Sequence, residues 1–192
     1  MLTCPVCNEQ ANRPYLHFPE SEKGEYYLCK CGAAFLHPMP TEEQLYIWYS
    51  SGAYREKVNG FDPGLELTLV QQDTRAEFIA GLLTSSIKSH LDIGCSTGAL
   101  LKTVAKRNPG VTSVGVDIDT VLKTDEFKVY KTIEEVPGTF DLITIIQTLE
   151  HLANPRKMVT GIYDHLNPGG AVMTEVPNRR AYLVAYAPPE HV

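Results

Sequence analysis

The rhythm of apolar and polar positions changes once along this chain, at about Ser89. From there on, short apolar runs alternate with helix-length segments, the pattern of a parallel α/β sheet. Residues 90–93 predict a first strand. Residues 96–108 predict a helix, stopped by Pro109-Gly110. A second strand is expected over 112–118, and a short third one around Lys128-Val129-Tyr130. Residues 140–147 predict a fourth strand, 155–166 a helix and 170–176 a fifth strand. The stretch 119–139 must hold both a crossover and the third strand. Its helix is therefore stunted, or the connection is not a full βαβ unit.

Upstream of Ser89 the pattern is looser. His37-Pro38-Met39-Pro40 breaks any regular element. Thr41-Glu42-Glu43-Gln44 then has the form of a capping box opening a helix through Leu45 to Tyr49. Residues 50–64, rich in Gly, Ser and Tyr, predict a loop, and 65–83 an amphipathic helix. The expected division is a small module over 1–40, a helical lead-in over 41–84 and an α/β domain over 85–192.

Composition narrows the class. The chain has 192 residues, with 17 basic and 23 acidic side chains. That mildly acidic balance argues against a nucleic-acid-coating surface. The start Met1-Leu2-Thr3-Cys4-Pro5 has neither a basic nor an apolar leader region. No run approaches the roughly 20 apolar residues that span a bilayer. The chain is therefore expected in the cytoplasm, where disulfides are rare.

The cysteines then need another account. Cys4 and Cys7 form a C-x-x-C, and Cys29 and Cys31 a C-x-C. Two close pairs about 20 residues apart have the spacing of a zinc ribbon. Pro5 stiffens the first turn and Gly32 loosens the exit of the second, while residues 15–28 supply short strands. So small a module cannot build its own core, and a structural zinc would supply its folding energy. A disulfide or free thiols are the alternatives, and His17 or His37 can replace one cysteine as ligand. Four protein thiolates close the coordination sphere, which excludes a catalytic zinc. Cys95 stands alone and reads as a small buried hydrophobe.

The strand-to-helix turn carries the next chemistry. In Leu91-Asp92-Ile93-Gly94-Cys95-Ser96-Thr97-Gly98, Gly94 and Gly98 permit positive φ and close approach of a ligand to the backbone. The following helix start offers free N–H groups. Asp117, ending Val114-Gly115-Val116-Asp117, is placed to take both hydroxyls of a ribose. A dinucleotide site meets its G-x-G-x-x-G/A pattern here only with Ser96 at the middle glycine, where a pyrophosphate needs bare backbone. Asp92, just before the loop, repels a diphosphate and suits a cationic amino group. Asp119 is a second carboxylate nearby, or a cap of the next turn.

LDIGCSTG resembles the first motif of the class I S-adenosylmethionine-dependent methyltransferases, commonly LDxGCGTG. VGVDID resembles their second motif, FDLITIIQTLEHLANP the fourth-strand motif with its Glu-His pair, and LNPGGAVMTEVPN the fifth-strand motif. CPVC…CKCG followed by HPMPTEEQLYIWY resembles a bacterial subset with a zinc ribbon before this fold, some of whose members methylate carbons of nucleotide-linked sugars. The resemblance covers roughly residues 89–178, as four motifs in family order. It implies a Rossmann-like doubly wound parallel sheet of order 3-2-1-4-5, S-adenosylmethionine (SAM) as cofactor, and methyl transfer to a small molecule such as a sugar.

Asp92 would then serve the methionine amino group, Gly94, Ser96 and Gly98 would line the methionine and ribose, Asp117 would bind the ribose hydroxyls, and Gln147 would border the cofactor. Two departures stand out: Ser96 replaces a glycine, and no acid follows the third strand at the place where the family often contacts adenine. The family continues past strand five with a helix and an antiparallel pair, here strands 6 and 7 missing. An exposed sheet edge is therefore expected, inviting a second copy or another cover.

Methyl transfer from a sulfonium needs alignment above all, and a base where the acceptor is a hydroxyl or carbon acid. His151 and His191 are the candidate bases. Glu150 is a candidate to bind substrate or orient a neighbour; alternatively Glu150 and His151 only close the strand-four loop. Glu190-His191 resembles the active-site Glu-His of the zinc-bearing sugar C-methyltransferases, with Pro188 where those enzymes have tyrosine. Tyr46, Trp48, Tyr49 and Tyr54 would lid the cofactor, stack on substrate or pack between modules. A non-catalytic zinc-and-cofactor module that recruits a partner, and an NAD-dependent oxidoreductase, are the rival readings.

Overall fold

The computed structural model describes residues 2–16, 24–51, 66–118 and 126–178. His17, Tyr54, Asp119 and His191 lie outside these residues, as does the expected loop at 52–64.

The N-terminal module is built from short antiparallel strands. Strands β1 (Leu2–Thr3) and β2 (Gln10–Ala11) pair with each other. Strands β3 (Arg13–Leu16), β4 (Glu25–Leu28) and β5 (Ala34–His37) form a three-stranded sheet in chain order. Its small core is Cys4, Ala11, Cys29 and Phe35, so two of four buried positions are cysteines. Helix α1 (Glu42–Ser50) follows. Its capping box forms as expected: the Gln44 N–H donates to Thr41 Oγ1 at 3.1 Å, and the Thr41 N–H to Gln44 Oε1 at 2.9 Å.

The α/β domain begins with helix α2 (Glu66–Leu82). Strand β6 (Ser89–Ile93), helix α3 (Ala99–Arg107), β7 (Thr112–Val116), β8 (Lys128–Tyr130), β9 (Phe140–Ile146), helix α4 (Pro155–Asp164) and β10 (Leu166–Glu175) follow. The five strands pair in parallel in the order β8-β7-β6-β9-β10, the expected 3-2-1-4-5.

The sheet is doubly wound. On one face Leu91, Ile93, Val116, Ile143 and Ile145 pack with Ile162 of α4 and Ile133. On the other, Ala76, Ile79 and Ala80 of α2 meet Leu100 and Val104 of α3. Among the described residues β10 is an edge strand, with Val172 and Val176 exposed. No described helix is long and apolar enough to cross a membrane.

Several boundaries differ from expectation for local reasons. Helix α3 starts at Ala99 rather than residue 96, because Ser96 and Gly98 both take left-handed backbone (φ +48° and +73°). Strand β10 starts at Leu166 rather than 170: an irregularity between Leu166 and Ala171 lets pairing with β9 begin early. Strands β7 and β9 stop at Val116 and Ile146, short of 118 and 147. Helix α4 ends at Asp164, where the His165 ring bonds the Gly161 carbonyl at 2.8 Å. Between β8 and β9 the described chain makes only a single 3-10 turn, Ile133–Glu135, as the short spacing implied.

Candidate active site and cysteine cluster

Parallel strands end together, and here the carboxyl ends of β6, β7, β8 and β9 open into a cavity of about 530 Å³. Its wall brings together Asp92, Gly94, Ser96, Asp117, Gln147 and His151. Gly98 shapes the loop without lining the cavity, and Glu150 is likewise off its wall.

The β6–α3 loop is held against the neighbouring strand ends. The Gly94 N–H donates to the Val116 carbonyl at 2.7 Å, and the Ser96 N–H donates to Asp117 Oδ2 at 2.7 Å. Ser96 thus occupies the family's glycine position in a glycine-like conformation, tethered by a charge-assisted bond. Gly94 has no latitude. Its φ is +77°, and an added Cβ would overlap the Thr148 side chain. Gly94→Ala is therefore expected to cost about 2–4 kcal/mol of stability, from left-handed strain plus overpacking. Denaturant unfolding reads this, and a variant as stable as wild type would contradict the tight packing. Gly115 makes a related close approach, since a Cβ there would lie 2.6 Å from Cys95 Sγ. Cys95 itself is buried, and its burial pushes the thiol well above the usual range, as befits an inert hydrophobe.

Asp92 is 4% exposed and receives the Thr144 hydroxyl on Oδ1 at 2.7 Å. Burial raises its pKa to about 7; the Thr144 bond opposes the rise and the Asp117 charge adds to it. A cation arriving at this carboxylate would favour its ionised form.

Gln147 follows β9 in left-handed backbone (φ +49°), donating its N–H to the Glu175 carbonyl at 2.8 Å and Nε2–H to Glu175 Oε1 at 2.9 Å. Arg75 of α2 pairs with that same Oε1 at 3.0 Å and also lines the cavity. His151 closes a 3-10 turn, Leu149–His151. Its Nε2 lies 3.8 Å from Glu150 Oε1, and its ring meets Tyr49 edge-on at 5.8 Å between centroids. Partial desolvation of its carboxyl raises the pKa of Glu150. Of the aromatic residues in α1, Tyr46 and Tyr49 line the cavity.

One expectation is corrected. An acid does follow the third strand: Glu134, in the 3-10 turn after β8, lines the cavity and pairs with Lys157 at 3.3 Å. Its own backbone N–H heads the causes that lower its pKa. The pattern of the sequence does not show it, because the turn that presents Glu134 depends on Ile133 seating in the core. Thr144, bonded to Asp92, and Thr148, against which Gly94 packs, were not singled out from the sequence, although both stand in the fourth-strand motif.

At the other end of the chain the four cysteine sulfurs lie within 4.8 Å of one another. Cys4 and Cys31 are 3.9 Å apart, Cys7 and Cys29 3.5 Å. A tetrahedral zinc with ordinary Zn–S bonds separates its sulfurs by about 3.8 Å, so the donor set fits. Each pair sits on a hydrogen-bonded turn, the first one residue longer than the second. The Asn8 N–H donates to the Cys4 carbonyl, and the Gly32 N–H to the Cys29 carbonyl, both at 3.0 Å. Asn8 and Gly32 both take positive φ, +63° and +93°. The thiols share their protons unequally. The Cys31 backbone N–H leads the bonds that draw Cys29 down to about 7. Cys7 is pushed up to about 12, because burial and the neighbouring thiols outweigh the lowering effect of the Glu9 backbone N–H. Arg156 of α4 donates to the Val6 carbonyl at 3.1 Å, which ties the first cysteine turn to the α/β domain.

A family model described as a methyltransferase domain matches residues 69–188. The ubiquinone biosynthesis O-methyltransferase of Dechloromonas aromatica (strain RCB) is 30% identical over 133 residues, covering 62% of this chain and 57% of its own length. That of Pseudomonas aeruginosa (strain LESB58) is 32% identical over 124 residues, covering 55% and 52%. The chain thus spans a little over half the length of these relatives. Among solved structures, the plantazolicin methyltransferase BpumL in complex with S-adenosylhomocysteine (SAH) matches with a TM-score of 0.54 at 18% identity, over 77% of this chain and 63% of that one. At that identity the likeness concerns the fold.

Proposed function

Because this chain belongs to the methyltransferase-domain family, we propose that it transfers a methyl group from SAM to a hydroxyl oxygen of a small molecule. The observation that supports this best is the single cavity into which Asp92, the Gly94–Gly98 loop, Asp117, Gln147 and His151 converge. SAM, when bound, supplies an electrophilic methyl on a positively charged sulfur. Asp92 takes its amino group, Asp117 its ribose hydroxyls, and Gly94 and Ser96 let it approach the backbone. His151 would accept the proton of an acceptor hydroxyl placed toward that methyl, which would leave the oxygen free to be methylated. Glu150, beside the ring, stabilises the imidazolium so formed. Tyr46 and Tyr49 cover the acceptor side. The oxygen acceptor is chosen on the names of the two relatives, which are O-methyltransferases.

In the same reading Cys4, Cys7, Cys29 and Cys31 hold a structural zinc that braces α4 through Val6 and Arg156, and no step passes through the metal. The 1–40, 41–84 and 85–192 division, and placement in the cytoplasm where thiols stay reduced, belong to this proposal too.

The test is His151→Gln, assayed with radiolabelled SAM against a panel of phenols and sugar hydroxyls. Turnover is expected to fall roughly a hundredfold with SAH affinity kept. Unchanged turnover would remove His151 from the chemistry, and methylation only at carbon would overturn the oxygen acceptor.

A further inference from the structure

Strand β6 is buried on both faces, yet one of its faces is polar. His90 and Asp92 alternate with Leu91 and Ile93 and so point to the same side of the sheet. Register sets Ser113 of β7 beside His90, and Thr144 of β9 beside Asp92. The four side chains join into one line. Ser113 Oγ lies 3.1 Å from His90 Nδ1, His90 Nε2 lies 2.9 Å from Thr144 Oγ1, and Thr144 Oγ1 lies 2.7 Å from Asp92 Oδ1. His90 and Thr144 have no exposed surface, so water cannot take over either bond.

The proton directions along this line follow from its ends. With a cationic amino group beside it Asp92 is ionised and only accepts, so the single Thr144 proton points to it. The Leu91 carbonyl, at 3.4 Å, is the weaker competing acceptor. With its proton committed, Thr144 Oγ1 must accept from His90, which puts the ring proton on Nε2. Nδ1 then carries a lone pair and takes the Ser113 hydroxyl proton. Burial pushes His90 down to about 4, so the ring is neutral near pH 7, with the one N–H and one lone pair this arrangement requires.

We propose that His90 is a positioning residue for the cofactor's amino group: as its Nε2–H tautomer it locks the Thr144 hydroxyl onto Asp92, and so holds that carboxylate at the cavity wall. An apolar residue at position 90 would leave Thr144 free to turn to the Leu91 carbonyl, and Asp92 would lose the donor that favours its charge. This inference rests on the reading of Asp92 as the amino-group ligand.

The test compares two ligands on the whole chain by calorimetry. SAH carries the amino acid portion; 5′-methylthioadenosine has the same adenosine and thioether sulfur without it. His90→Leu and His90→Asn are expected to weaken SAH roughly tenfold, the loss of about one bond to a charged group. Both should bind 5′-methylthioadenosine as wild type does. His90→Gln, whose amide N–H falls where Nε2 stands, is expected to restore most of the SAH affinity. Equal loss of both ligands, or loss of neither, overturns the proposal. The ring ¹⁵N shifts of His90 in the unsubstituted, SAH-bound chain, where the ligand's ammonium keeps Asp92 ionised, test it without any variant: an Nε2–H tautomer agrees and an Nδ1–H tautomer contradicts. A wild-type chain that binds neither ligand overturns the cofactor reading and this inference with it. One that binds SAH with indifference to residue 90 overturns the inference alone.

Discussion

Asp117→Ala is expected to weaken SAH binding by roughly a hundredfold or more, the largest effect of any single change in the cavity. Two interactions leave with the carboxylate. One is the 2.7 Å bond from the Ser96 N–H, which tethers a residue held at φ +48°. Without it the loop loses the anion that offsets its backbone strain. The other is the proposed pair of bonds to the ribose. Each charge-assisted bond to the ribose contributes about 1.5–3 kcal/mol, so the pair alone gives about 3–6 kcal/mol, and the loosened loop adds to the loss. Asp117→Asn separates the two contributions. Its amide oxygen can still accept from Ser96, so the loop stays seated, and roughly a tenfold loss is expected. Calorimetry gives the affinities and circular dichroism verifies the fold. Wild-type affinity in Asp117→Ala would show that the cofactor does not sit against β7.

Stripping zinc is expected to unfold the N-terminal module and leave the α/β sheet intact. The module's strands are two to four residues long, and among the described residues its buried core holds Ala11 and Phe35 besides two cysteines. Such a core cannot offset the entropy of ordering some 40 residues. A structural zinc contributes about 10–16 kcal/mol, far more than any packing available there. The purified chain should carry one zinc, and Cys4→Ser should carry none. After chelation, amide protection in β3, β4 and β5 should vanish while β6 and β9 keep theirs, since Leu91, Ile143 and Ile145 pack in a separate core. The Val6–Arg156 bond then predicts added exchange at the start of α4. A metal-free chain with protected β3–β5 amides would contradict this account.

The strand and helix alternation after Ser89 was legible because each buried strand is a short apolar run and each helix is bounded by Gly, Pro or Asn. Pro109-Gly110 and Asn154-Pro155 punctuate the chain as their backbone chemistry requires. The cofactor loop was legible for the same reason, since Gly94 marks a place where no side chain fits. What stayed hidden depends on register. His90 and Thr144 read as stray polar residues until pairing sets them in line with Asp92. Glu134 reads as one of two adjacent acids until Ile133 buries itself and turns the chain. The early start of β10 needs the irregular backbone between Leu166 and Ala171, which no apolar pattern announces. The cysteine pairs carried their message in spacing alone, although C-x-C is a residue shorter than the commoner second pair. The Gly32 turn accommodates that difference.

The most direct test of the central claim is a calorimetric titration of the whole chain with SAH, set against an identical titration with NAD. The buried Asp92 beside a loop with Ser96 at the pyrophosphate position predicts one-to-one micromolar binding of SAH and none of NAD. Binding of NAD, or no binding of SAH by a folded, zinc-loaded chain, would contradict it.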